Sequence, residues 1–355
     1  MAQPHFVRPD PNNVHLVIAY KNFGAVKGIS HIGLGVTALT NAKILNSAGY
    51  WTEVWPIVSA DDLFKRLAIS QTQPTAVTHV VISAPWLPIA AVAALANTYH
   101  QVQFAVSSHS NVGFLQADPG GLTLLREIAD LQTGTINVHI AANSRKFISW
   151  WQRVYTQPAW WLPNLYELTT AEFIPQVYQR GSVLRIGSFG AIRPLKNLLT
   201  AGAAALEVAT RLQADLEFHV SAGRAEGGGD TVLRGLNAMF AGLPNAKIVF
   251  DTWQSWPAFL RTVRSMHLGV QPSYTESFSM VTADFIGQGV PVVGSDAIDW
   301  LPERWIASND NANDIAAVGL DLLFVPGIIQ EGLAALRRHN DAGLRGWGSV
   351  LMGQA

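Results

Sequence analysis

Short apolar segments of strand length recur along the chain, and stretches with helical periodicity separate them. The segments predicted as strands are 14–19, 52–58, 77–82 and 102–106 in the first half, and 183–189, 216–222, 246–250, 268–272 and 290–293 in the second. Residues 158–182 interrupt this alternation. Strands that alternate with helices are typical of a doubly wound, largely parallel sheet. The sequence therefore predicts an α/β protein with two such sheets.

The interruption also predicts where the domains divide. We expect a first domain over 1–165, a linker over 166–182 and a second domain over 183–332, with the C-terminal tail 333–355 able to pack back on the first domain. A chain of 355 residues is long enough for two domains that each bury a core of their own.

Composition narrows the class of protein further. Hydrophobic residues make up 49% and charged residues 14%, which fits buried parallel strands. The net charge of −1 provides no overall field that would attract nucleic acid, and the lack of cysteine excludes disulfides, thiolate metal sites and a cysteine nucleophile. The N-terminus lacks the pattern of a secretory signal, and no apolar run is long enough to span a bilayer. We expect a soluble, cytoplasmic protein with no integral membrane segment.

Two carboxylates flank a predicted helix near the end of the second half. Residues 268–293 read as strand, loop, helix and strand, with Glu276 and Asp284 toward either end of the helix. A rise of 1.5 Å per residue separates the two acids by about 12 Å. An α/β domain would hold a nucleotide-linked ligand there, with its diphosphate at the helix start. The N–H groups predicted to be available at that start belong to Phe278, Ser279 and Met280.

This segment resembles the signature of retaining, nucleotide-sugar-dependent glycosyltransferases of the GT-B fold, family 4. The signature is a Pro-Ser turn, Glu, seven residues, Glu, and then Gly-x-Pro-Val-Val, which here correspond to Pro272-Ser273, Glu276, Asp284 and residues 289–293. The resemblance implies that Glu276 lies beside the donor sugar and that Asp284 binds the ribose. Asp284 departs from the usual Glu, yet the shorter carboxylate can still accept ribose hydrogen bonds. Without the resemblance, Glu276 is a helix-start acid favoured by the helix dipole, and Asp284 is a solvated helix residue.

A second segment resembles another motif of the same family. Residues 183–189 read as a strand and 190–197 as a turn, which resembles Gly-Arg-Leu-x-x-x-Lys-Asn. The resemblance implies that Gly190 belongs to the donor-binding turn and that Lys196 neutralises the donor diphosphate. Ala191 stands where the family has Arg, so Arg193 is the candidate replacement. Fixed cations can stabilise a departing diphosphate without a metal. The alternative is a pair of surface cations.

Five further candidates follow predicted strands. His109 lies just past an apolar strand, at the ligand-facing edge of an open sheet. The resemblance implies that it hydrogen-bonds the donor sugar and borders the transfer site, whereas a structural histidine is the alternative. It also implies that Gly28 lies in a loop approaching the donor phosphates and acceptor, for which an ordinary strand-to-helix turn is the alternative. Gly223 is implied to lie beside the nucleotide. Trp256 is a candidate neighbour of the nucleotide base, as is Trp253.

Together these motifs imply a GT-B protein with two Rossmann-like domains facing a cleft. The implied activity is transfer of a hexosyl group from a nucleoside-diphosphate sugar to an acceptor hydroxyl on a glycan, a lipid or a modified DNA base. No cofactor beyond the donor is expected, and the sequence has no Asp-x-Asp motif, which indicates no metal requirement. Residues 109–120 resemble bacteriophage-encoded glycosyltransferases, which implies a hydroxymethylated DNA base or a host glycan as acceptor and the host cytoplasm as location. A nucleotide-sugar epimerase and an inactive sugar-nucleotide-binding module are the alternatives.

Overall fold

The computed structural model describes residues 14–22, 32–168, 176–221, 224–252 and 254–354. The chain divides into two compact units. One consists of Met1–Glu167 with Asn340–Ala355, and the other of Leu168–His339. Each unit is built around one parallel sheet, so the prediction of two parallel-sheet α/β units is confirmed.

The first unit contains six parallel strands in the order β2-β1-β3-β4-β5-β6. The apolar run of β1 is buried at its first five positions, as expected for a strand covered on both faces. Its residues alternate between two cores, with Val17 in one and Leu16 in the other. The strands are β1 (His15–Lys21), β2 (Trp51–Ile57), β3 (His79–Ser83), β4 (Gln103–Ser108), β5 (Val138–Ala142) and β6 (Ala159–Trp161).

Helices connect these strands. Ser59 begins the second helix, because its hydroxyl accepts a hydrogen bond from the N–H of Asp62 at 3.2 Å. Asp118 caps the fifth helix in the same way through the N–H of Gly121 at 3.0 Å. The helices are α1 (Ile32–Ser47), α2 (Ala60–Ser70), α3 (Ile89–Thr98), α4 (Val112–Leu115), α5 (Pro119–Gly134) and α6 (Arg145–Tyr155).

The second unit contains five parallel strands in the order β11-β10-β7-β8-β9. Strands β7 and β10 are neighbours, so the loops that follow them leave the same edge of the sheet. In parallel sheets this carboxyl edge is where ligands bind. The strands are β7 (Leu184–Ser188), β8 (Leu216–Ser221), β9 (Ala246–Asp251), β10 (Leu268–Gln271) and β11 (Val292–Gly294).

The remaining helices are α7 (Leu198–Leu212), α8 (Gly229–Phe240), α9 (Trp256–Arg264), α10 (Met280–Gly287), α11 (Ala312–Phe324) and α12 (Ile328–Leu351). The last part of α12 belongs to the first unit, where Trp347 is buried and donates its indole N–H to the carbonyl of Pro163 at 2.9 Å. In the described part of the chain, no single helix is long and apolar enough to cross a membrane; only α11 and α12 together, bent by 106°, meet those two criteria.

Candidate functional site

The candidate donor site lies at the carboxyl edge of the second sheet, where the loops after β7 and β10 come together. Gly190 adopts φ +115°, a conformation that favours glycine. A Cβ atom placed on Gly190 would lie 3.8 Å from Cε of Lys196 and 4.0 Å from Cγ2 of Val281. The turn after β7 therefore lies against the first residues of α10.

Lys196 and Glu276 form an ion pair at this edge. The Lys196 Nζ atom lies 2.5 Å from Oε1 of Glu276, and the Ser273 hydroxyl donates to the same oxygen at 2.8 Å. The Lys196 and Glu276 side chains are 18% and 10% exposed, so the pair is largely but not completely shielded from solvent. Two residues predicted from separate motifs, 80 positions apart, thus lie in direct contact. A cation and a carboxylate side by side suit a substrate with a diphosphate next to a sugar.

Backbone and amide hydrogen bonds hold the two loops together. The N–H of Tyr274 donates to the carbonyl of Leu195 at 3.0 Å, directly beside both members of the ion pair. Asn197, in a left-handed conformation with φ 56°, donates to the carbonyl of Pro272 at 3.2 Å. Neither positioning contact was predicted. The only sequence signal was that Asn197 follows Lys196 in the turn motif.

The start of α10 differs from the prediction. The helix begins at Met280 instead of Phe278, because Ser279 adopts a left-handed conformation with φ 63° and ψ 79°. Glu276 lies in the loop before the helix. Phe278 is buried, and its carbonyl accepts a hydrogen bond from the Trp300 indole at 2.6 Å. The Ser279 hydroxyl shares a hydrogen bond with Thr282 at 2.8 Å.

Asp284 lies in the middle of α10 and is only 2% exposed. Its Oδ1 atom accepts a hydrogen bond from the Trp256 indole at 3.2 Å. The interpretation of Asp284 as a solvated helix residue is therefore wrong. Its ribose-binding role stays a prediction, and so does the base contact of Trp256, but the structure does bring these two candidates into contact.

Arg193 and Arg224 share one carboxylate. Arg193 Nε lies 3.4 Å from Oε2 of Glu226, and Arg224 Nε lies 2.5 Å from its Oε1. Arg193 is therefore in an ion pair on the same carboxyl edge, in the turn between β7 and Lys196. Sequence reasoning did not single out Glu226.

His109 lies at the carboxyl edge of the first sheet, directly after β4. Its Nε2 atom is 2.9 Å from the Ser83 hydroxyl, and Nδ1 is 3.5 Å from the Asn143 amide nitrogen. Burial lowers the pKa of His109 to about 4, so the imidazole is neutral at pH 7. The cavity beside it is about 10 Å³, room for no more than one water molecule.

Three candidates lie outside the described residues, namely Gly28, Gly223 and Trp253. Among the residues that are described, no group of three or more His, Asp or Glu side chains is placed to hold a metal ion. The donor-site candidates that the structure brings together are thus Gly190, Lys196, Glu276 and the start of α10, with Asp284 on α10 in contact with Trp256 on α9.

Comparison with known proteins identifies the fold. No family model matches the chain, and no curated protein matches it. Solved structures do match, and three of them, at 12–15% identity, describe the similarity. A UDP-forming α,α-trehalose-phosphate synthase from Burkholderia xenovorans, in complex with glucose-6-phosphate, is 12% identical with a TM-score of 0.63, covering 96% of this chain and 100% of that one. Sucrose-phosphate synthase from Thermosynechococcus elongatus is 15% identical with a TM-score of 0.62, covering 96% and 98%.

A third neighbour is Staphylococcus aureus TarM, in complex with fondaparinux, α-GlcNAc-glycerol and UDP. It is 15% identical with a TM-score of 0.56 and covers 77% of this chain. The chain spans only 55% of the length of that TarM structure. These neighbours are glycosyltransferases of the GT-B fold, and at such identities the similarity shows the fold alone. The predicted GT-B fold class is confirmed.

Proposed function

We propose that this protein is a retaining glycosyltransferase, which moves a sugar from a nucleoside-diphosphate sugar to an acceptor hydroxyl. The observation that carries the proposal is the Lys196–Glu276 pair at the carboxyl edge of the second sheet. Its support from the fold is that neighbours with the same architecture include a UDP complex and a UDP-forming synthase.

In the proposed donor complex, the diphosphate takes Lys196 as its partner. Arg193 and the N–H groups at Ser279 and Met280 add positive potential, since the first N–H groups of a helix have no partner within it. The diphosphate gains negative charge as its bond to the sugar breaks. Groups already fixed in place stabilise that charge without having to reorganise.

Glu276 then faces the sugar. Once Lys196 turns to the diphosphate, the Glu276 carboxylate keeps its hydrogen bond from Ser273 and is held in place. A fixed carboxylate stabilises the positive charge that develops on the sugar ring in the transition state. The acceptor proton passes to the departing diphosphate, and the new bond forms on the face that the diphosphate leaves. That path retains the anomeric configuration.

The neutral His109 keeps the role predicted for it, a hydrogen bond to the donor sugar. Asp284 is proposed to bind the ribose with Trp256 as its support. We further propose a family 4 type of hexosyl transfer in the cytoplasm, with no cofactor and no metal. The acceptor class is a hydroxyl compound, and the phage-like segment 109–120 makes hydroxymethylated DNA one acceptor to screen beside glycans and lipids.

Thermal-shift measurements with ADP, GDP, UDP and their sugars test the donor class first. We expect the nucleoside diphosphate of one base to raise the Tm of the protein. The corresponding nucleoside-diphosphate sugar should be consumed in the presence of EDTA once an acceptor is supplied. NMR of the product reports whether the anomeric configuration is retained. Failure of every nucleotide to bind would refute the proposal. Exchange of the sugar C2 proton without transfer would indicate an epimerase, and binding without any turnover would indicate a binding module.

A further inference from the structure

Glu226 holds two arginines from different loops of the second unit. Arg193 comes from the turn after β7, and Arg224 from the segment after β8. The Glu226 carboxylate uses one oxygen for each: Oε2 lies 3.4 Å from Arg193 Nε, and Oε1 lies 2.5 Å from Arg224 Nε. The three side chains are between 19% and 29% exposed, so this cluster is largely shielded from water yet remains accessible.

The backbone fixes this arrangement. Ile192 donates to the carbonyl of Arg224 at 2.9 Å, and the N–H of Glu226 donates to the carbonyl of Ile192 at 2.9 Å. Gly229 packs so closely here that a Cβ atom would lie 2.1 Å from the Ile192 carbonyl oxygen. The two loops are thus joined by main-chain contacts that do not involve the three charged side chains. Exchange of the Glu226 carboxylate for another anion would leave this frame in place.

Two guanidinium groups around one carboxylate leave one net positive charge. Guanidinium binds carboxylate and phosphate oxygens with the same fork of N–H donors. A diphosphate carries more charge and more acceptor oxygens than one carboxylate, so it is the stronger partner for the pair. One member of the cluster, Arg193, lies in the same turn as Lys196, three residues before it.

We infer that Glu226 is an internal anion that occupies a diphosphate subsite made by Arg193 and Arg224. The donor diphosphate displaces the Glu226 carboxylate, so Arg224 as well as Arg193 becomes a donor ligand. Glu226 then sets donor affinity, because every binding event must break its two ion pairs. The statement that the ligand is a nucleoside-diphosphate sugar rests on the proposed function. The statement that Arg193 and Arg224 form a diphosphate subsite does not.

The test compares Glu226→Gln with wild type by calorimetric titration of inorganic pyrophosphate, and then of UDP, GDP and ADP. Gln keeps the size of the side chain and the backbone contacts but removes the competing charge. Because two partly exposed ion pairs are lost, we expect pyrophosphate to bind about two- to tenfold more tightly. Arg224→Gln should weaken it by a similar factor. Glu207→Gln is the matched control, since it breaks an Arg–Glu pair of 2.7 Å on α7.

Equal or weaker pyrophosphate binding by Glu226→Gln, with an unchanged Tm, would overturn the inference. That result would mean that Glu226 only positions the arginines. No pyrophosphate binding by either protein would overturn it as well. Tighter pyrophosphate binding together with no response to any nucleotide would uphold the subsite and refute the donor-binding function. Tighter binding of pyrophosphate and of one nucleoside diphosphate would support both.

Discussion

The carboxyl edges of the two sheets are built from different chemistry. In the second unit, two candidate cations form ion pairs: Lys196 with Glu276, and Arg193 with Glu226. In the first unit, the central group is a neutral His109 whose contacts include the uncharged Ser83. Paired charges suit a polyanionic ligand, which exchanges one ionic partner for another. A neutral imidazole suits hydroxyl groups, to which it can donate or from which it can accept. This difference predicts which substitutions change the binding of a charged ligand and which do not.

The largest effect is expected from Glu276→Gln. The variant keeps the hydrogen bond from Ser273 but loses the charge that the proposed mechanism places beside the sugar. We expect kcat to fall about 10²–10³-fold, the range typical of removing one group that stabilises the transition state. Affinity for the nucleoside diphosphate should hold or rise, because Lys196 loses its competing partner. Steady-state kinetics and calorimetry separate the two effects.

Glu303→Gln serves as the control for that experiment. Glu303 is an exposed acid of the same unit, outside the candidate site. Its replacement should leave kcat unchanged. Full turnover by Glu276→Gln would remove the basis for calling the second edge catalytic and would leave it a binding surface.

Lys196→Gln should lower the affinity for the nucleoside diphosphate. The substitution removes the cation proposed to hold the diphosphate and leaves the Glu276 carboxylate beside it, which repels an anion. We expect the Kd for the nucleoside diphosphate to rise roughly 10- to 100-fold, about 1.4–2.7 kcal/mol. Lys247→Gln, which breaks an exposed pair of 2.9 Å with Glu217 in the same unit, should not change it. Equal Kd values for the two variants would contradict a diphosphate role for Lys196.

The sequence could predict the strands that have a local pattern, but not those that depend on pairing. Strands that are buried on both faces can be recognised in a sequence as apolar runs. For this reason the strand predicted over 183–189 closely matches the observed strand, Leu184–Ser188. Strand β6, Ala159–Trp161, escaped prediction because it follows Pro158 within residues 158–182, where the alternation of strand and helix patterns is interrupted. What makes it a strand is its pairing with β5, which no local pattern reveals.

The candidate site also divides into residues that a local motif reveals and contacts that it does not. Lys196 and Glu276 could be selected because each belongs to a motif with a characteristic spacing. The pairing of Arg193 with Glu226 could not, because it depends on main-chain contacts between loops 33 positions apart. The left-handed Ser279 also has no local signal, since serine rarely adopts that conformation. Its effect is that α10 begins at Met280 and not at Phe278.

His109 predicts a pH dependence for the first unit. Burial lowers its pKa from 6.5 to about 4, so between these values the unfolded chain binds a proton that the folded chain does not. Stability contributed by the neutral ring is therefore full above pH 6.5 and is lost as pH falls toward 4. At pH 5 the loss is about 2 kcal/mol, from 1.36 kcal/mol per pKa unit.

Urea unfolding of His109→Asn at pH 7 and pH 5 measures this contribution. The free energy of unfolding should fall less between the two pH values in the variant than in wild type, by about 2 kcal/mol. His79 and His139, whose pKa values burial also lowers to about 4, remain in both proteins and cancel. His100→Asn, an exposed position, is the control. An identical pH response in His109→Asn and wild type would show that the ring is not held neutral by the fold.

The smallest expected effect comes from Trp256→Phe. The substitution keeps an aromatic ring on α9 and removes the indole N–H that donates to Asp284 at 3.2 Å. If Asp284 binds the ribose, a less firmly oriented carboxylate should raise the Kd for a nucleoside about two- to fivefold, close to 1 kcal/mol or less. Trp86→Phe, at an indole of the first unit that lies under Lys21, should leave that Kd unchanged. A nucleoside is the right probe because it lacks the diphosphate and so isolates Asp284 from the ion pairs. Unchanged nucleoside binding by Trp256→Phe would assign the buried carboxylate to the stability of α10 and confine ligand binding at this edge to its charged groups.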